Sequence, residues 1–165
     1  MRRSLKDQLR QLYGFSCGYC GVTEGDTGAE LTIDHFQPVV HGGSDLIENL
    51  MYCCHACNSY KGDYWPPGAE QRLLHPLNDE LSLHLTETEM YQLRGLTATG
   101  SFHIEQLHLN RAPLIAYRHR QGQQQLLQQE VQDMRKRQER LAEEIEQLWN
   151  LLEAQGESET QIAEP

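Results

Sequence analysis

Leu5, Leu9 and Leu12 recur at helical spacing and Gly14 follows as a stop, which predicts a short amphipathic helix over residues 2–13. A Cys-x-x-Cys pair, Cys17 and Cys20, comes directly after it. Apolar-rich residues 31–36 and 50–53 predict two short strands around a loop holding Gly42, Gly43 and Asp45. HACNSYKGDYW then predicts a helix ending near Gly62, so the local order is strand, loop, strand, helix. YWPPGAEQ is a break, Leu81, Leu83 and Leu85 alternate with polar residues as in a strand, and TATG at 97–100 predicts a turn. From Asn110, a good helix cap, the pattern stays helical to about residue 154, with Gly122 its weak point.

Within that helix Leu127, Val131, Met134, Gln138, Leu141, Ile145, Leu148 and Leu152 alternate in steps of four and three. Such a seam has coiled-coil character, broken once by Gln138. Its 26 residues would extend about 39 Å, too far to pack wholly on so small a body. A dimeric or folded-back coiled coil and a solvated charged helix with a weak apolar stripe both stay open. GESETQIAEP at the end has a disordered composition.

With 165 residues, 38% of them hydrophobic, the chain supports one modest domain plus an extension. No apolar run approaches a membrane span, and MRRSLKDQLR lacks the apolar stretch of a secretion signal, so a soluble, cytoplasmic protein with no membrane partner is expected. The net charge of −10 argues against a general nucleic-acid binder. More than half of that excess lies beyond residue 125, and basic residues cluster at Arg2, Arg3, Lys6 and Arg10 and again at Arg111, Arg118 and Arg120.

Five cysteines in a reducing compartment fit metal better than disulfides. Cys17/Cys20 and Cys54/Cys57 supply the four soft ligands of a closed tetrahedral zinc site, with Gly18 and Gly21 suiting the tight knuckle. Cys53 reads as a small buried hydrophobe. Between and just after the pairs stand IDHFQP at 33–38, GGSDLIENL at 42–50 and CHACNSYKG at 54–62. With CGYCG at 17–21, these segments resemble the HNH endonucleases of the ββα-metal, treble-clef type, over roughly residues 10–65.

The resemblance implies a zinc-stapled ββα-metal domain over 1–65; with the pattern beyond it an α+β chain is expected, continuing as a small α+β region over 66–109, a long helix over 110–154 and a disordered tail over 155–165. It implies a DNA endonuclease leaving 5′-phosphate and 3′-hydroxyl ends, by nicking or double-strand cleavage. His35 would be the general base, Asp34 and Asn58 the ligands of Mg²⁺ or Mn²⁺, and Asn49 the residue that pins the loop and orients the histidine. Asn58 stands where many members have His. Adjacent strand residues face opposite ways, so Asp34 and His35 need local curvature to serve one phosphate. Lys61 reads either as a DNA-phosphate contact or as an exposed helix-end cation. His41 and His55 read as loop and solvent-facing residues, and His75, His84, His103 and His108 share no ligand spacing. The alternative function is a non-catalytic zinc-stapled module binding nucleic acid or protein, joined to a second copy or another partner through the C-terminal helix. No recognition helix for a DNA sequence is legible.

Overall fold

A computed structural model describes residues 4–66, 68 and 71–160, with backbone alone for 153–160. Arg2, Arg3 and residues 161–165 of the expected disordered tail lie outside the described residues. The chain divides into two compact units, residues 1–119 and 120–165.

In the first unit, helix α1 (Leu5–Leu12) is capped by Ser4, whose hydroxyl accepts from the Asp7 amide, and buries Leu9 completely. A one-turn helix α2 (Glu24–Thr27) follows the first cysteine pair. Strands β1 (Thr32–His35) and β2 (Leu50–Cys53) form an antiparallel hairpin in which Asp34 faces Met51 and His35 faces Leu50. All four β2 residues are buried. One reason is that α1 and the cysteine knuckle both pack on this strand: the Tyr13 hydroxyl lies 3.0 Å from Met51 Sδ, and the Gly18 amide donates to the Tyr52 carbonyl at 2.8 Å. Helix α3 (His55–Lys61) completes the ββα unit, with the Cys54 sulfur as its N-cap acceptor and Gly62 closing it in the positive-φ region.

Residues 81–109 depart from the expected strand and turn. Leu81–Leu83 is a single 3-10 turn, and the strand begins only at β3 (Leu85–Glu87), which pairs with β4 (Leu93–Gly95). TATG is not a turn but the start of helix α4 (Ala98–Gln106), because the Thr97 hydroxyl accepts from the Gly100 amide as an N-cap. Asn110 does not cap the last helix. Its amide clasps Leu93 from both sides, taking the Leu93 N–H and donating to the Leu93 carbonyl, both at 2.7 Å. Helix α5 therefore starts two residues later and runs Ala112–Thr160, past the expected end near 154.

Leu73, Ile104, Leu107, Leu109 and Leu114 join Leu9, Met51, Tyr52 and Cys53 in one apolar cluster, so the segment after residue 66 shares a core with the zinc-stapled hairpin. Cys53 is fully buried in it. In the second unit, Leu127, Met134, Leu141, Ile145, Leu148 and Leu152 are all exposed on α5. No helix among the described residues is long and apolar enough to cross a membrane.

Candidate active site

The four sulfurs of Cys17, Cys20, Cys54 and Cys57 lie within 4.8 Å of one another, and the Cys20–Cys54 separation is 3.8 Å. A tetrahedron with Zn–S bonds of about 2.3 Å has an S–S edge of about 3.8 Å, so the donor set fits zinc. Crowding divides the proton affinities of the sulfurs. Cys54, accepting from Cys17, Cys20 and Cys57, is held far below the usual thiol range, while Cys17, Cys20 and Cys54 drive Cys57 up. A dication at their centre would let all four sulfurs bind as thiolates. One cation already touches the cluster from outside: the Arg111 guanidinium donates to Cys57 Sγ at 3.4 Å and Cys54 Sγ at 3.9 Å, lying over the Tyr60 ring at 5.3 Å. Arg111 sits more than fifty residues from the sulfurs it contacts, so no spacing in the sequence announces it.

Asp34 and His35 alternate in direction, as neighbours on a strand must. Asp34 turns inward and is 8% exposed. Its Oδ2 accepts from the Tyr19 hydroxyl at 2.9 Å, and the Lys61 ammonium lies 3.2 Å from Oδ1 and 3.1 Å from Oδ2. Burial pushes the Asp34 carboxyl up from its ordinary value; Lys61 and Tyr19 pull against that shift. Tyr19 sits between the two cysteines of the first pair. Lys61 closes the helix opened by the second pair.

Lys61 is a correction to the sequence reading. It is neither a phosphate contact nor an exposed cation, being 2% exposed, with its ammonium donating to the His35 carbonyl at 2.6 Å and the Gly62 carbonyl at 3.3 Å besides Asp34. Strand β1 packs on α3 here, so the helix end that would face solvent is covered. The same contact shows which face of α3 looks at β1. Asn58, three residues earlier and half-exposed, shares that face.

His35 turns the other way, with Nε2 2.7 Å from Asp45 Oδ1. A carboxylate only accepts, so the Nε2 proton belongs to that bond and the lone pair of a neutral ring is on Nδ1. Asp45 stands on the loop between the strands, which Asn49 clamps. The Asn49 Oδ1 accepts from the Gln37 amide at 2.8 Å, its Nδ2 donates to the Gln37 carbonyl at 3.1 Å and the Ser44 carbonyl at 2.8 Å, and its carbonyl accepts from the Phe36 amide at 2.8 Å. Gly43 is where the loop folds back most tightly: a Cβ there would lie 1.8 Å from the Gln37 carbonyl oxygen.

This hairpin, helix and four-sulfur knuckle agree with the ββα-metal architecture. Residues 17–64 match the HNH endonuclease family model. The matched HNH segment runs from the first zinc cysteine to just beyond α3 and contains Asp34, His35, Asn49 and Asn58. Neither the curated proteins nor the solved structures compared with the chain give a match. Outside the HNH segment, three of the basic residues singled out in the sequence are spent on internal acceptors, Lys6 on Glu30, Arg10 on Glu24 and Glu30, and Arg118 on the Tyr91 and Leu109 carbonyls, while Arg120 is exposed. His41 and His55 are exposed. Tyr19, Asp45 and Arg111 are the site residues that sequence reasoning missed.

Proposed function

We propose that the HNH segment hydrolyses DNA phosphodiester bonds, leaving 5′-phosphate and 3′-hydroxyl ends, in the cytoplasm. The observation that carries this reading is a neutral-capable imidazole, oriented by Asp45, next to a buried carboxylate whose surroundings are set by the zinc knuckle and α3. A module that only binds has no use for that pair. In this reading the free imidazole nitrogen of His35 takes the proton of the attacking water. Asn49 keeps the loop, and with it Asp45, in place. Asp34 and Asn58 offer hard oxygens on facing elements, a donor set that suits Mg²⁺ or Mn²⁺. When bound, that cation would counter the charge growing on the phosphorane and the leaving 3′ oxygen. Lys61 balances the Asp34 charge and holds the carboxylate toward α3, so it acts on the site from behind. Zinc on the four cysteines would be structural.

The alternative, a binding module, draws support from the net charge of −10 and from the internal engagement of Lys6, Arg10 and Arg118. The exposed seam of α5 is proposed to join two copies or recruit a partner in either reading. Supercoiled plasmid incubated with zinc-loaded protein and Mg²⁺ or Mn²⁺ separates them. Conversion to open-circular or linear DNA by the parent protein, lost in His35→Ala, supports the nuclease. Retained plasmid binding with no cleavage in any metal leaves the binding module.

A further inference from the structure

Beside the proposed nuclease centre lies a cavity of about 290 Å³ that the reaction as described does not use. Phe36, Tyr64, Trp65, Arg72 and Leu73 are among its walls. Phe36 is the residue after His35, and its amide is bonded to the Asn49 carbonyl, so the cavity and the candidate base are fixed by the same loop clamp. Its rings are braced: Phe36 is wedged edge-on between Trp65, at 6.1 Å, and His75, at 4.7 Å, while Tyr64 packs on Phe102 at 5.3 Å. Arg72 is held flat by a two-point pairing with Asp79 at 2.7 and 2.8 Å.

We infer that this cavity receives one unpaired nucleobase of the strand being cut, at a position flanking the scissile phosphate. The inference rests on the nuclease reading above. Three features select the occupant. The volume is at the small end for ligand pockets, enough for one planar ring system and too little for a nucleotide pair. Aromatic walls with an arginine plate offer stacking to any base without reading its edge. Phe36 continues the extended pairing of β1 through its bond to Asn49, so its ring turns to the side that Asp34 faces, and a base seated there would flank a phosphate held on the Asp34 side of the hairpin. Extrusion of a paired base costs unstacking energy, so the subsite favours bulged, mismatched or single-stranded DNA over intact duplex.

The chain has two tryptophans, so Trp149→Phe leaves Trp65 as the sole indole reporter. In the full-length, zinc-loaded His35→Ala/Trp149→Phe protein, Trp65 emission is followed during titration with three oligonucleotide duplexes: one carrying a single-base bulge, the same bulge with an abasic sugar, and a fully paired control. The bulged base should quench Trp65 and bind about 5- to 150-fold more tightly than the abasic form. With binding read instead by the fluorescence anisotropy of end-labelled duplexes, Trp65→Leu should remove most of that preference, and Trp65→Phe should keep it. Equal affinity for bulge and abasic duplexes overturns the subsite while leaving the nuclease reading intact. Failure to bind any of the three duplexes, with zinc content and circular dichroism unchanged, overturns the subsite and the DNA reading together.

Discussion

Asp34 and Lys61 form an ion pair in which neither side chain has appreciable access to water, and each is the other's main charge partner. Removing one charge from such a pair typically costs about 3–5 kcal/mol, because the other remains buried and uncompensated. Asp34→Asn and Lys61→Met should each destabilise by that order in urea unfolding, and the double variant should recover part of the loss. Additive losses would argue against the pairing. His35 differs because it does not hold the fold. His35→Ala should keep its stability and lose about 10²- to 10⁴-fold in single-turnover nicking, the usual worth of general-base assistance. Asn58→Ala should regain part of its rate at raised Mg²⁺ or Mn²⁺, and His35→Ala should regain none. The sequence makes the polar set Asp34, His35, Asn49 and Asn58 readable because each lies in a short motif with its own order. Tyr19, Asp45 and Arg111 act through three-dimensional contact alone, and Lys61 was misjudged because burial of a helix end depends on what packs over it.

At the scale of elements, the loop joining β1 to β2 has one position with no freedom. A methyl group at Gly43 would meet the Gln37 carbonyl and the Asn49 amide, so Gly43→Ala should break the clamp and displace Asp45 from His35. Activity should fall at least tenfold while zinc content, measured by metal analysis, stays at one per chain. Helix α4 carries a pH-sensitive joint. His103 is 3% exposed, its Nδ1 accepts the Leu74 amide at 3.0 Å, and burial lowers its pKa to about 4. A depressed histidine is neutral in the folded chain and protonates first in the unfolded one. Its contribution is therefore complete above pH about 6.5 and disappears as pH falls from there toward 4, a loss on the order of 3 kcal/mol. His103→Asn keeps an acceptor without the titration, so its thermal midpoint should fall less steeply than the parent's across that window. Helix α1 begins at Leu5, after the Ser4 cap, and not at residue 2, but its end before Gly14, the hairpin and α3 follow from period and punctuation in the sequence. The middle segment does not, since Thr97 serves as a cap only once Gly100 is close, and Asn110 is drawn off to Leu93 by tertiary contact.

For the whole molecule, the long seam of α5 gives the clearest test of assembly. Light scattering should find a dimer for the full chain and a monomer after deletion of residues 126–165, and a full chain that is already monomeric would leave the seam for another partner. Chelation that strips zinc should end nicking together with cooperative unfolding, and added Mg²⁺ should restore neither. The placement of the two groups that hold Asp34 has a consequence for biosynthesis. Tyr19 and Lys61 bracket the hairpin in the order in which the chain is made, so an emerging polypeptide cannot assemble the carboxylate's surroundings before α3 has cleared the ribosome. Ile104, Leu107 and Leu109, which complete the same core, emerge later still. Under the proposed nuclease function, a translation product that stops short of α3, or one made in a cell starved of zinc, would be inert toward DNA.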